Sequence, residues 1–282
     1  MNHLPARPRN LLFAPAVRPD LVAKTPTSSP DLVAIDLEDA TPASAKDGAR
    51  ASLPELVDSV RGRSPVTVRV NAADSPWFDD DVAALPEGLA AVIVPKIETV
   101  QGLDRIASAL RDAGHPNLAI IAGIETALGV ADSRELLAHS VVGAAYFGAE
   151  DFIADMGGYR TFHNREVAYA RGLVALSARL AGVPAFDQVV ADFRDHDRCQ
   201  AECEEAQAMG YTGKLCIHPG QVGIARNAFT PSPAEIDHAV RLLAAYEEAT
   251  DAGIAAIDFE GRMVDEPVAA QARHVLELAD EP

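Results

Sequence analysis

The sequence predicts an α/β protein built as a (β/α)8 TIM barrel with a C-terminal helical and hairpin extension. Two observations carry that expectation. Short apolar or β-branched runs alternate with helical patterns from start to end, in the number that an eight-stranded barrel needs. Several of these runs also end in a charged or polar residue, and parallel α/β folds place their chemistry at the carboxyl ends of their strands. Runs that are apolar throughout, bounded by turn signals, suit strands covered on both faces.

The strands are predicted at 10–15, 31–37, 66–71, 90–95, 118–124, 143–148, 184–189 and 213–217. Helical patterns lie between them at 42–60, 99–113, 127–139, 166–181, 196–209 and 220–228, with weaker helical stretches near 18–24 and 77–84. A doubly wound open sheet is the alternative arrangement. Its dinucleotide-binding form is disfavoured, because no Gly-x-Gly-x-x-Gly follows the first strand. No Walker loop is present: Gly213-Lys214 is followed by Leu215 inside a strand pattern. Beyond the eighth unit a long helix is predicted near 233–252, behind Pro231 and Pro233. Alternating sequence around Glu260-Gly261 then signals a hairpin, and a last helix runs near 267–279. The chain is accordingly divided into a barrel, 1–230, and an extension, 231–282. An appendage of that kind has two common uses: to cover its own barrel mouth, or to reach a neighbouring subunit.

With 282 residues and 48% apolar content the chain can bury a large core, mostly of Ala, Val, Leu and Ile. A net charge of −18 excludes nucleic acid as a partner, since that needs a basic face. No apolar run approaches a membrane span, and the stretch from Met1 to Arg9 lacks a hydrophobic signal region, so a cytoplasmic location is expected. The cysteines are Cys199, Cys203 and Cys216; the first two share a helix face, but no second pair completes a zinc site, and reduced structural thiols are expected.

The most informative stretch is Asp31-Leu-Val-Ala-Ile-Asp-Leu-Glu-Asp39. It puts Asp36, Glu38 and Asp39 together at a strand end, where like charges repel unless a cation or a cationic group sits among them. The bland alternative is that Asp39 caps the next helix and Asp36 is solvated. Glu125 and Asp151 are the best candidates for metal ligands, because they would end adjacent strands five and six and so face one point. Magnesium is often bound by one or two carboxylates plus water and substrate, which leaves positions for a bidentate 2-keto acid. Spacing leaves open the other reading, with Asp151 capping a short helix and Glu125 paired with an arginine. Arg69, ending strand three, suits an oxygen that gains negative charge, and equally a salt bridge to Asp36 or Glu38. Lys96 is disfavoured as a Schiff-base lysine, since neighbouring acids push its pKa the wrong way. His218, before Pro219 and Gly220, fits a catalytic role, and equally capping of the next helix or structural hydrogen bonding.

Together these motifs resemble a known family. Leu12-Phe-Ala-Pro15, Ile35-Asp-Leu-Glu-Asp-Ala40 with Pro42, Lys46 and Ala49-Arg50, Val68-Arg-Val-Asn71 and Val94-Pro-Lys96 are similar to those of citrate lyase beta-subunit-like proteins of the HpcH/HpaI aldolase family. Ile124-Glu-Thr126, Gly148-Ala-Glu-Asp-Phe152 and Gly213-Lys-Leu-Cys-Ile-His-Pro-Gly-Gln221 continue the resemblance, which covers roughly residues 9–267. One departure is Pro15-Ala16, where the family often has Pro-Gly. The resemblance implies a (β/α)8 barrel, Mg2+ with Mn2+ as the alternative ion, and Claisen-type cleavage or formation of a carbon–carbon bond in a malyl-, citramalyl- or citryl-CoA-like thioester, yielding a keto acid and an acyl-CoA. It implies Glu125 and Asp151 as metal ligands and Arg69 on substrate oxygen, with Asp36, Glu38, Asp39 and Lys96 at the substrate. Gly261-Arg-Met-Val-Asp265 looks like the tail motif whose aspartate is catalytic in malyl-CoA lyase-like members. A homotrimer or hexamer is implied, with the C-terminal segment reaching a neighbour. Thioester hydrolysis at the same site, or work as a citrate lyase subunit on an acyl-carrier-protein thioester, are the alternative activities.

Overall fold

The computed structural model describes residues 4–280. Two compact units divide the chain, one ending at Arg226 and the other beginning at Asn227.

The first unit is a closed barrel of eight parallel strands in sequence order. They are β1 (Asn10–Pro15), β2 (Leu32–Asp36), β3 (Val66–Arg69), β4 (Ala91–Val94), β5 (Ile120–Ile124), β6 (Val142–Phe147), β7 (Ala185–Asp187) and β8 (Gly213–Cys216). β2, β4 and β5 are buried along their whole length, as expected of strands with a packed interior on one side and helices on the other. Inward-facing Leu11, Leu32, Ala34, Ile93, Ile121, Ala144, Phe186 and Leu215 fill the barrel.

The connecting helices are α1 (Pro19–Val22), α2 (Lys46–Val60), α3 (Phe78–Ala83), α4 (Val100–Asp112), α5 (Ala127–Ala131), α6 (Ser133–Leu137), α7 (Ala149–Asp155), α8 (Ala168–Ala181), α9 (His196–Met209) and α10 (Pro219–Ala228). Local chemistry sets several starts. Thr99 accepts a hydrogen bond from Gly102 N and opens α4; Thr126 does the same for Gly129 N and opens α5. The helix expected over 127–139 is broken at Asp132 into α5 and α6. α7, between β6 and α8, is absent from the helical pattern and corresponds to the short helix of the alternative reading of Asp151. Its seven residues are too few to register a helical period.

A buried polar network ties β7 and β8 to the helices outside them. Arg171 of α8 makes hydrogen bonds of 2.7 and 3.0 Å to the two Asp187 oxygens. Lys214 Nζ donates to Asp187 at 2.6 Å and to Glu202 at 3.2 Å. The Lys214 charge and hydrogen bonds from Asn164 and Arg198 outweigh burial and bring Glu202 down to about 2. The three cysteines are free and buried.

The second unit contains α11 (Pro233–Asp251), the hairpin β9 (Ile257–Phe259) and β10 (Arg262–Val264), and α12 (Glu266–Asp280). Ser232 and Glu235 form a reciprocal capping box at the start of α11. Glu260 and Gly261 both have positive φ, 54° and 79°, so the expected hairpin closes through a two-residue turn whose twist matches its strands. Leu242, Leu243, Tyr246, Val264 and Ala269 make its small core. Among the described residues no helix is long and apolar enough to cross a membrane.

Candidate active site at the carboxyl ends of the strands

Asp36 and Arg69 are register partners at the ends of β2 and β3. Arg69 Nε and Nη2 donate to Asp36 Oδ1 and Oδ2, each at 2.7 Å. Asp36 also accepts from the backbone N–H groups of Glu38 and Ala40, at 2.9 and 3.2 Å. A carboxylate has about four acceptor positions, and all four are taken. Burial pushes Asp36 up, but the Arg69 charge and these hydrogen bonds outweigh it and hold the carboxyl below its ordinary value. Asp36 therefore meets the site through Arg69.

Glu38 lies within 2.9 Å of Arg69 Nη1, as an ion pair without hydrogen-bond alignment; its Oε2 is buried and unbonded. Its other oxygen accepts from Lys96 Nζ at 2.6 Å. Burial, together with the Asp39 charge, leaves Glu38 raised despite these cations. The loop bearing Glu38 is held from behind by Lys46, whose ammonium donates to the carbonyls of Leu37 (2.7 Å) and Glu38 (3.0 Å) and to Asn71 Oδ1 (2.7 Å). Asp81 of α3 anchors Asn71 in turn and pairs with Arg50.

Glu125 follows β5 and is almost fully buried, at 2% exposure. Its Oε1 accepts from Lys96 N at 3.0 Å. That N–H is aimed at the carboxylate because Lys96 sits in the left-handed region, at φ 54°. Gly148, after β6, lets the Glu125 side chain pack against its backbone: a Cβ there would lie 2.3 Å from Glu125 Oε2. Burial, then the Glu38 and Asp151 charges, push Glu125 up to about 8. Asp151, expected at the end of strand six, stands instead in the first turn of α7, with Lys96 Nζ 3.6 Å from its Oδ1. Lys96 is pulled down by burial, but its hydrogen bond to Glu38 and the charges of Glu38, Glu125 and Asp151 win, and it ends raised. A lysine so placed stays protonated and is a poor Schiff-base former.

These groups border a cavity of about 440 Å3, lined among others by Phe13, Asp36, Asp39, Arg69, Glu125 and Asp151. Glu38 and Lys96 line an adjoining cavity with Lys46 and Trp77. Seven expected site residues are thus gathered at one end of the barrel: Asp36, Glu38, Asp39, Arg69, Lys96, Glu125 and Asp151. Asp265 belongs to the second unit, between β10 and α12, where its backbone carbonyl accepts from Val268 and Ala269 N. His218 Nδ1 accepts from Gly220 N and its ring stacks on Phe193, which is the capping and structural alternative. Tyr146 of β6 also lines the cavity and was not singled out from sequence; an inward tyrosine in an apolar strand carries no signal beyond packing.

Among the described residues, the carboxylates Asp36, Glu38, Glu125 and Asp151 face only Arg69 and Lys96 as cations in contact with them. Hard oxygen donors short of positive charge, at the border of a cavity, fit a hard divalent cation. Among the described residues no three His, Cys, Asp or Glu side chains are grouped as a protein-only cage. Two carboxylates with open positions is the pattern expected of Mg2+ rather than of zinc.

Comparison with known proteins bears on this arrangement. A family profile described as HpcH/HpaI aldolase/citrate lyase matches residues 9–219. A citrate lyase subunit beta-like protein of Deinococcus radiodurans is 47% identical, over 98% of this chain and 99% of its own. The citrate lyase subunit beta of Leuconostoc mesenteroides subsp. cremoris is 33% identical, over 96% and 93%. A (3S)-malyl-CoA thioesterase of Cereibacter sphaeroides is 33% identical, over 96% and 94%. Among solved structures, the CitE protein of Mycobacterium tuberculosis in complex with magnesium, acetoacetate and coenzyme A superposes with a TM-score of 0.83 at 33% identity, covering 98% of this chain and 99% of that one.

Proposed function

The chain belongs to the HpcH/HpaI aldolase/citrate lyase family and is a carbon–carbon lyase of that family, and from that premise we propose that it cleaves and forms a 3-hydroxyacyl-CoA thioester by Claisen chemistry with Mg2+ at Glu125 and Asp151. The substrate class is malyl-, citramalyl- or citryl-CoA-like, and the products are a keto acid and an acyl-CoA. The observation that carries the reading is the pairing of a fixed arginine with two under-compensated carboxylates across one cavity.

Bound at Glu125 and Asp151, Mg2+ supplies Lewis-acid polarisation and a template for the keto acid oxygens. The chain's own groups do the rest. Asp36 holds Arg69 by two hydrogen bonds, leaving the remaining guanidinium N–H groups for an oxygen that gains charge as the carbon–carbon bond breaks or forms. Lys96 stays charged, balances Glu38 and Asp151, and fixes Glu125 through its backbone N–H. Phe13 packs against the Arg69 guanidinium, 5.0 Å from it, and shields it from water. In the condensation direction Asp265 takes a proton from the thioester methyl group, and the resulting carbanion equivalent attacks the keto carbon. Asp39, exposed at the cavity rim, contacts the substrate.

Hydrolysis of the thioester is a second reading, favoured by the malyl-CoA thioesterase among the relatives. Service as a citrate lyase subunit is a third, favoured by the Leuconostoc relative. One experiment separates them: incubate the purified chain with a panel of CoA thioesters and Mg2+, and measure keto acid, acyl-CoA and free CoA. Keto acid with acyl-CoA supports the lyase. Free CoA with the intact hydroxy acid supports hydrolysis. Activity only on acyl-carrier-protein thioesters supports the subunit role.

A further inference from the structure

Tyr146 has a phenol hydroxyl that is buried and has no hydrogen-bond partner. The residue is 1% exposed. Buried polar groups left unbonded are rare and call for an explanation. The position of this one is specific. Tyr146 on β6 is the register partner of Gly123 on β5. The hydroxyl occupies the space a side chain at 123 would fill: a Cβ there would lie 2.4 Å from it. Residues 123 and 125, two apart, point to the same side of the chain, and the Glu125 charge acts on the hydroxyl that packs against Gly123. The charged groups acting on it are Glu125, Arg69 and Glu38. Arg69 offers donors only; Glu38 Oε1 is taken by Lys96, its Oε2 faces Arg69 as an ion pair, and its charge acts on the phenol less than that of Glu125. Glu125 is the nearer acceptor in effect.

Resting on the reading of Glu125 as a magnesium ligand, we propose that Tyr146 is a positioning residue whose hydroxyl donates to the ionised Glu125 carboxylate and fixes the orientation in which it meets the cation. Lys96 N already holds Oε1 from one side, and the missing side chain at Gly148 lets the Glu125 carboxylate pack against the backbone there. The phenol adds a further support. Gly123 is then required as much as Tyr146, because any side chain there would displace the hydroxyl. Outer groups of this kind orient metal ligands and tune their basicity. A tyrosine that merely filled the barrel would serve equally well as phenylalanine.

The test is Tyr146→Phe, which removes one oxygen and keeps the ring. Mg2+ binding is measured by calorimetry and Mn2+ binding by electron paramagnetic resonance, on wild type and variant without substrate. The melting temperature of the cation-free protein is measured alongside. The expected result is a cation Kd weakened roughly 10- to 100-fold with an unchanged or higher melting temperature, since an unbonded buried hydroxyl has been removed. An unchanged cation Kd in the variant overturns the proposal and leaves Tyr146 as core filling. Failure of the wild type itself to bind either ion overturns the magnesium reading, and this proposal with it. The two failures appear in different proteins and are not confused.

Discussion

The Arg69 guanidinium grips both carboxylate oxygens of Asp36 at 2.7 Å, and the two residues are register partners on neighbouring strands. The backbone ladder between β2 and β3 thus sets the orientation of the fork. Two backbone N–H groups hold Asp36 in turn, so the arginine is anchored through the sheet rather than by a flexible contact. Both sequence-level alternatives for Arg69, an ion pair and a reacting-oxygen contact, are then compatible in one residue.

Arg69→Lys keeps the charge and loses the planar fork. Lyase turnover is expected to fall by roughly 10²-fold or more if an oxyanion-type contact is removed. Because a buried pair is also disturbed, the melting temperature should drop as well. Steady-state rates and melting curves on the same preparation check both, and an unchanged rate beside a lowered melting temperature would confine Arg69 to a structural role.

Glu125→Gln and Asp151→Asn are expected to lose Mg2+ binding and turnover while remaining folded. At Glu125 the charged form is disfavoured by burial and by Glu38 and Asp151, so the neutral amide should leave cation-free stability unchanged or raise it. Calorimetric titration with Mg2+ and thermal melts in chelator provide the check.

Glu202 gives the acid limb of stability. Its carboxyl is lowered from 4.5 to about 2 in the folded state, so the unfolded chain takes up its proton first as pH falls. The contribution is whole above pH 4.5 and is lost between about 4.5 and 2. A shift of that size corresponds to something on the order of 3 kcal/mol. Glu202→Gln should be destabilised at neutral pH and show a flatter fall in denaturation midpoint between those pH values than wild type.

How far the sequence reads is best judged from single residues. The barrel and its strand ends were legible because buried parallel strands are near-continuous apolar runs, and Asp36, Arg69, Lys96 and Glu125 each close or follow one. Asp151 was legible as a residue but its place was left between two readings: α7 is a short helix of seven residues, and places the carboxylate in a helical first turn rather than at a strand end. Asp81 and Tyr146 were not legible. Their roles depend on contacts with Asn71 and Gly123, and tertiary proximity leaves no trace in local pattern. Spacing on adjacent strand ends already singled out Glu125 and Asp151 for a metal, and the family resemblance pointed to the same pair over the helix-cap and salt-bridge alternatives.

The barrel unit bears an exposed apolar stripe on α8. Tyr169, Leu176 and Leu180 are 81%, 55% and 62% exposed, and their spacing puts them on one helix face. A homotrimer or a hexamer is expected by light scattering at micromolar concentration. Leu176→Glu with Leu180→Glu should reduce the mass if this stripe lies in the interface; full activity at monomer mass in the wild type would refute the oligomer.

Asp265→Asn is expected to retain Mg2+ and keto acid binding but to lose thioester-dependent turnover. If the residue serves only the start of α12, asparagine should replace it well, since both are good caps. Mixing Asp265→Asn chains with Glu125→Ala chains, after proven subunit exchange, asks whether two chains share a site. Recovered activity requires that they do.

Lys96 carries two demands that substitution can pull apart. Its backbone needs a left-handed φ, which glycine accepts at no cost and asparagine tolerates, while its ammonium must bridge Glu38 and Asp151. In a saturation library at this position, a selection for folded, soluble protein should rank glycine and asparagine above alanine and far above valine. A selection for turnover should reject all of them. Two screens on one codon would then yield different winners, which separates what the loop needs from what the chemistry needs without a second mutation anywhere else.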